Sequence, residues 1–169
     1  MARSEEGFGL VLDRLDVVAG DDRINAAEAA VDLTLAGNAT DLADGDTVDL
    51  IIGETEERVR LIGIDAPESV SRNDPVQCFG PEASSALKGL LPPGTEVTIS
   101  RDVEARDRFG RLLLYLYRTD DDLFINRYLV QTGFADAKFF EPNTSFEGDF
   151  TGVRNEARSN GVGLWGSCD

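Results

Sequence analysis

Three short stretches place carboxylates and arginines at the ends of apolar runs: Asp44-Gly45-Asp46-Thr47, then Arg60-Leu61-Ile62-Gly63-Ile64-Asp65-Ala66-Pro67-Glu68, then Arg106-Asp107-Arg108-Phe109-Gly110-Arg111. A strand end is a rigid place from which to present side chains, and Gly45, Pro67 and Gly110 punctuate the turns that would aim them. Asp46 and Asp65 each stand beside a strand. On neighbouring strands their carboxylates can share one hard cation, calcium or magnesium, with backbone carbonyls and water filling the other oxygen sites. The same two residues also read as turn caps, a common use of Asp. An EF-hand is ruled out, because Asp44, Asp46 and Asp49 lack the loop glycine and the terminal Glu at the required spacing. Arg60 alternates with Val59 and Leu61 and so points opposite to them, while Arg111 starts the strongest apolar run. Both can reach one phosphate. A guanidinium grips phosphate oxygens bidentately and stays charged at any working pH, which stabilising a pentavalent transition state requires. Glu68, following Pro67, can take a proton from an attacking water, general-base work typically worth about 10²- to 10⁴-fold in rate. Each residue alone also has a plainer reading: a surface ion pair for either arginine, an exposed loop carboxylate for Glu68.

Strands must carry these groups to one place. Alternating strand-like runs follow the acidic turn over Thr47 to Ile52 and Arg58 to Ile64, separated by the polar turn Gly53 to Glu57. Gly80-Pro81-Glu82 opens a helix with Ala83, Ala86, Leu87, Leu90 and Leu91 on one face and Pro92-Pro93-Gly94 as its stop. Strands over Glu96 to Ser100 and Leu112 to Tyr117 flank the charged turn Arg101 to Arg111. Leu123 to Thr132 reads as a helix stopped by Gly133, and Phe146, Phe150, Val153 and Ala157 keep helical spacing until Gly161. Residues 1–40 mix Gly, Asp and Ala with short apolar bursts and read as an N-terminal extension, with a short helix over Ile24 to Asp32 and an edge strand over Val31 to Leu35. The predicted fold class is α+β: a five-stranded OB-type β-barrel with about three packed α-helices, over residues 41–169.

Composition narrows the chemistry. In 169 residues, 32 are acidic and 16 are Lys or Arg, a formal charge of −16, and the only lysines are Lys88 and Lys138. That balance opposes polyanion binding in dilute buffer. In 1 M salt, however, the screening length shrinks to about 3 Å. A very acidic, lysine-poor surface therefore predicts a halophilic protein; the alternative is a low-salt protein that repels nucleic acid or binds a basic partner. Nucleic-acid binding would then rest on short-range arginine contacts, stacking and metal coordination. There is no histidine, and Cys78 and Cys168 lack metal-ligand spacing, which excludes zinc sites and histidine-based catalysis. The two cysteines either pair, worth about 4 kcal/mol in the chain-entropy model, or stand as separate buried thiols. Pairing would point to an oxidising compartment. No run approaches the roughly 18 apolar residues of a membrane span, and Glu5 and Glu6 fall where a signal peptide would need a basic and then apolar run. The expectation is a monomer without a membrane span, cytoplasmic as written and extracellular if the cysteines pair or an upstream signal is missing.

Asp-Gly-Asp-Thr at 44–47, Arg-Leu-Ile-Gly-Ile-Asp-Ala-Pro-Glu at 60–68, Gly-Pro-Glu-Ala at 80–83 and Asp-Arg-Phe-Gly-Arg at 107–111 resemble, in order and spacing, the staphylococcal (micrococcal, thermonuclease) nuclease domain. The resemblance runs from about Asp41 to Trp165. It implies that Asp46, Asp65 and the carbonyl of Ala66 hold Ca²⁺, that Glu68 orients or deprotonates the attacking water, and that Arg60 and Arg111 clamp the scissile phosphate. It further implies supporting roles for Asp44, Thr47 and Asp107, substrate contacts from Arg108, Phe109 and Phe139, and single-stranded or frayed DNA and RNA as substrate, cut to 3′-phosphate ends. Exported members pair a C-terminal cysteine with one just ahead of the Gly-Pro-Glu-Ala helix, which here would join Cys168 to Cys78.

The chain departs from the best-known members in carrying Phe109 and Phe139 where they have Tyr, and Ala66 where they have Thr. Phenylalanine keeps a stacking face but drops a hydroxyl, and for either ring a buried-core role is the alternative to stacking; Ala66 needs only its carbonyl. A catalytically silent OB-fold binding or scaffold module is the competing expectation, although such modules typically lose the carboxylates and arginines retained here. A calcium- or sugar-binding OB domain would explain the acidic cluster but not Arg60 and Arg111.

Overall fold

A computed structural model describes residues 33–35, 44–69 and 75–168. Strands β1 (Leu33–Leu35), β2 (Thr47–Ile52), β3 (Thr55–Leu61), β5 (Glu96–Ser100) and β6 (Leu112–Arg118) form a sheet in the order β3-β2-β1-β5-β6, and β3 also pairs with β6. That last pairing closes the sheet on itself, so the five strands make the expected OB-type barrel. It is parallel, with Arg60 opposite Leu113, whereas β3 runs antiparallel to β2 with Arg60 opposite Thr47. The short strand β7 (Leu123–Phe124) pairs antiparallel with the end of β6, and β4 (Ile64–Asp65) pairs with β8 (Asp136–Ala137) in a separate two-stranded ribbon.

Element bounds differ from the sequence-based expectation: the run Arg58 to Ile64 divides into β3, ending at Leu61, and β4, and Leu123–Phe124, expected to open a helix, is the strand β7. Strand β3 begins at Thr55 rather than Arg58, because Gly53 takes a positive φ of 64° and lets Gly53-Glu54 alone reverse the chain, pairing Thr55 with Ile52. Its first residues are polar because they are exposed, not because they turn. Strand β1 is not an edge strand. It lies between β2 and β5, so the sheet recruits Leu33–Leu35 from the segment read as an extension. The helix expected over Ile24 to Asp32 lies outside the described residues.

Helices α1 (Gly80–Leu90), α2 (Ile125–Gln131) and α3 (Glu147–Ser159) pack on the barrel, and the one-turn α4 (Leu164–Ser167) follows α3. The core combines Val48, Leu50, Val59, Leu61, Ile99 and Leu114 from the strands with Leu87 of α1, Leu129 of α2 and Phe150 of α3. Gly45 allows α1 to approach the acidic turn: a Cβ there would lie 2.8 Å from the Cβ of Ala83.

Beneath the β3–β6 seam, fully buried Asn126 donates from Nδ2 to the carbonyls of Ile62 (2.9 Å) and Leu114 (3.2 Å) and accepts from the Leu116 amide (2.9 Å). One side chain of α2 therefore satisfies backbone groups from both strands where they part, and a buried amide left unpaired there is costly. Replacing Asn126 with Ala should lower unfolding stability by about 3 kcal/mol, measurable as a drop in the urea midpoint at unchanged slope.

Candidate active site

The acidic turn, the β3–β4 segment and the loop before β6 meet at one end of the barrel. Asp46 immediately precedes β2, and its carbonyl accepts from the Leu61 amide at 2.9 Å, fixing it beside the end of β3. Its carboxylate is buried, with Oδ2 accepting from the Ala66 amide at 3.0 Å and Oδ1 accepting from the Thr47 hydroxyl at 3.1 Å. Burial pushes the Asp46 carboxyl above the usual carboxylate range, and Arg60, the Ala66 amide and the Thr47 hydroxyl oppose that shift. The Arg60 guanidinium lies between the two aspartates, with Nη2 3.4 Å from Asp46 Oδ2 and 3.8 Å from Asp65 Oδ1, while Nη1 donates to the Leu61 carbonyl at 2.6 Å.

Glu68 stands at the exposed rim of this cluster. Partial burial of its carboxyl, a hydrogen bond shared with Asp44 and the charges of Asp44, Asp46 and Asp65 push it up to about 7. Asp44 also accepts from the Ser69 amide at 3.2 Å, tying the acidic turn to the segment that carries Glu68.

Asp107 organises the third stretch. Its Oδ1 accepts from the amides of Phe109 (2.9 Å) and Arg111 (3.0 Å), and its Oδ2 holds Arg111 Nε at 2.7 Å. Arg111 is thereby oriented while its two terminal amino groups remain available for a phosphate. Phe109 is 68% exposed, with the guanidinium carbons of Arg108 and Arg111 at 4.8 and 5.5 Å from its ring centroid. These are cation–π distances, so the aromatic face and two charges form one platform.

The platform faces a cleft of about 490 Å³ whose lining includes Arg60, Arg108, Arg111, Lys138, Phe109 and Phe140. Four cations against the lining carboxylates Glu104, Asp107 and Glu141 make this a local exception to a chain of formal charge −16. Phe139 is placed elsewhere. It is half-buried, with its ring 5.3 Å from that of Phe150, and packs against Gly63 and the core. The next residue, Phe140, is 63% exposed and presents the second aromatic wall, with Lys138 Nζ 5.5 Å from its ring centroid and 3.6 Å from Asp65 Oδ2. Sequence reasoning missed both Phe140 and Lys138. The alternation after β8 was the available signal: with Phe139 turned to the core, its neighbours must face out.

Asp46, Asp65 and the carbonyl of Ala66 would offer oxygen donors alone, the chemistry that suits a hard cation. The carboxylates of Asp44, Asp46, Asp65 and Glu68 crowd a site countered by Arg60 and Lys138, so added positive charge there would be stabilising. Among the described residues no three His, Cys, Asp or Glu side chains are grouped as metal ligands. A cation would therefore depend on two carboxylates, a backbone carbonyl and water.

Cys78 and Cys168 form a disulfide with Cα atoms 5.9 Å apart, so the separate-thiol alternative falls away. No helix among the described residues is long and apolar enough to cross a membrane.

The fold and this arrangement agree with what the chain resembles. A family model described as "Staphylococcal nuclease homologue" matches residues 58–167, a range that holds Arg60, Asp65, Glu68 and Arg111 and begins after Asp46. A thermonuclease of Staphylococcus intermedius is 37% identical over 122 residues, covering 72% of this chain and 71% of the relative. A thermonuclease of Staphylococcus hyicus is 33% identical over 122 residues, covering 72% and 70%. Endonuclease YncB of Bacillus subtilis is 32% identical over 123 residues, covering 72% of this chain and 57% of the relative. With its closed barrel, its three packed helices and relatives of this kind, the chain belongs to the staphylococcal nuclease family and is a nuclease.

Proposed function

We propose that this protein is a calcium-dependent endonuclease that hydrolyses the phosphodiester bonds of DNA and RNA to 3′-phosphate products. The observation that carries the reading is the convergence of Arg60, held between Asp46 and Asp65, with Arg111, held by Asp107, on a cationic cleft flanked by two exposed aromatic rings. The thermonuclease relatives support it. A Ca²⁺ ion on Asp46, Asp65 and the Ala66 carbonyl would supply neutralising charge for the phosphate and an acidified water.

The protein's own groups do the rest. Glu68 takes the proton of the attacking water as the water oxygen bonds to phosphorus, and the P–O5′ bond breaks in line; the departing O5′ takes a proton from solvent, leaving a 3′-phosphate and a 5′-hydroxyl. Arg60 and Arg111 hold the non-bridging oxygens as their charge grows; Asp107 fixes the Arg111 fork in advance, so little reorganisation is needed during the reaction. Phe109 and Phe140 offer faces for splayed bases, which favours single-stranded or frayed DNA and RNA. Neither contributes a hydroxyl that would read sugar identity, consistent with acceptance of both polymers. Asp44 and Thr47 steady the acidic turn.

In this reading the chain acts as a halophilic protein, and a screened surface confines its attraction for nucleic acid to the cleft. The disulfide favours an oxidising environment. A silent binding module would not need a polarised, carboxylate-oriented Arg111 beside a crowded acidic pocket.

The test is digestion of single-stranded DNA in molar KCl with Ca²⁺, or with EGTA plus Mg²⁺, followed by end-group analysis. Cutting to 3′-phosphate ends only with Ca²⁺, declining as KCl is lowered, is the expected result; DNA binding without cleavage would favour the silent module. Glu68→Ala should reduce kcat about 100-fold or more while sparing Ca²⁺ affinity, since Glu68 is assigned as base and not ligand. Parallel loss of calcium binding would overturn that assignment.

A further inference from the structure

Glu68 is exposed, so core packing does not fix where it stands. Its backbone is instead bracketed by one residue. The Glu68 amide donates to the Gln77 side-chain carbonyl Oε1 at 2.9 Å, and the Gln77 amide donates to the Glu68 carbonyl at 3.0 Å. Gln77 is itself anchored on its C-terminal side. Its carbonyl accepts from Gly80 at the start of α1 (2.9 Å), Cys78 is bonded to Cys168, and Phe79 stacks on Phe134 with centroids 5.5 Å apart. Beyond the disulfide, the Cys168 amide donates to the Leu164 carbonyl at 2.9 Å, and the Leu164 amide donates to the Gly133 carbonyl at 2.8 Å. A methyl group at Gly80 would overlap the Glu68 carbonyl oxygen, so the start of α1 is pressed against the same backbone.

We propose that Gln77 is a positioning residue for Glu68, and that the Cys78–Cys168 disulfide is the anchor that keeps Gln77 in place. The inference rests on Glu68 being the general base of the proposed reaction. An exposed base tethered at both backbone polar groups is held at the distance an attacking water requires without being buried. The C-terminal turn acts on the chemistry through covalent and hydrogen-bonded links, touching neither substrate nor metal ligands. Loss of either link shifts the base and leaves the binding groups where they are, so the effect falls on turnover. A misplacement on the order of 1 Å is enough to cost up to 10²-fold in rate.

Gln77→Ala, Gln77→Glu and the double variant Cys78→Ser/Cys168→Ser are to be compared with the unaltered protein for kcat, KM, Ca²⁺ affinity and hydrogen exchange at the Glu68 amide, well below the melting temperature. Gln77→Ala should lose about tenfold in kcat, with KM and Ca²⁺ affinity within about twofold, and should lose protection at the Glu68 amide. Gln77→Glu keeps an acceptor oxygen on the same stem and should recover kcat to within about threefold of the unaltered protein. The double variant should lower kcat by about threefold at unchanged KM. Unchanged kcat in Gln77→Ala, no recovery in Gln77→Glu, or loss of Ca²⁺ affinity in step with kcat would each overturn the proposal. An unaltered protein with no cleavage activity would instead sink the nuclease reading, and with it the catalytic meaning of the bracket.

Discussion

The parallel pairing of β3 with β6 is the constraint on which the rest depends. Strand β3 is shared between two ladders, so Arg60 lies opposite Thr47 on one side and Leu113 on the other. That single placement brings the acidic turn before β2 and the Asp107–Arg111 loop before β6 to the same end of the barrel. A parallel strand pair needs a long crossover, and here the connection carries Asp65, Glu68 and α1. Asn126 locks the seam from below by pairing backbone groups of Ile62, Leu114 and Leu116. Closing the barrel and assembling the site are therefore one event.

Electrostatics divides the molecule in two. The surface is acidic, yet the cleft is lined by Arg60, Arg108, Arg111 and one of the two lysines. Asp46 illustrates the tension. Desolvation favours its neutral form, opposed by Arg60, an amide and a hydroxyl directed at its oxygens. Removing Arg60 alone would leave a buried carboxylate without its counter-charge, so the arginine is structural before substrate arrives. Glu68, pushed up to about 7 by partial burial and by its carboxylate neighbours, shows the same crowding at the rim. A positively charged ligand in the pocket is the natural relief of that repulsion.

Much of this was legible from residue order. Periodicity located β2 and β5 at their observed bounds and α1 at its start, because apolar alternation and Pro81 act locally. The grouping of Asp46, Asp65 and Arg60 followed from strand-end positions and the family motifs. What could not be read were tertiary effects. Leu33–Leu35 looks like an edge in sequence and becomes an inner strand only because the barrel closes. Phe139 and Phe140 are chemically identical neighbours, and only the packing of Phe150 decides which one faces the core. The tie between Gln77 and Glu68 joins residues nine apart in sequence through a side-chain amide, which no period or motif signals.

In the proposed function, Asp46 and Asp65 hold one functional cation beside Arg60 and Arg111. Calorimetric titration of Ca²⁺ into the metal-free protein and into Asp46→Asn tests it most directly. One calcium per chain, lost in Asp46→Asn while the fold persists by circular dichroism, is the predicted result. Equal calcium binding by both proteins would contradict the account, because the cation would then lie elsewhere than between the carboxylates that the barrel brings together.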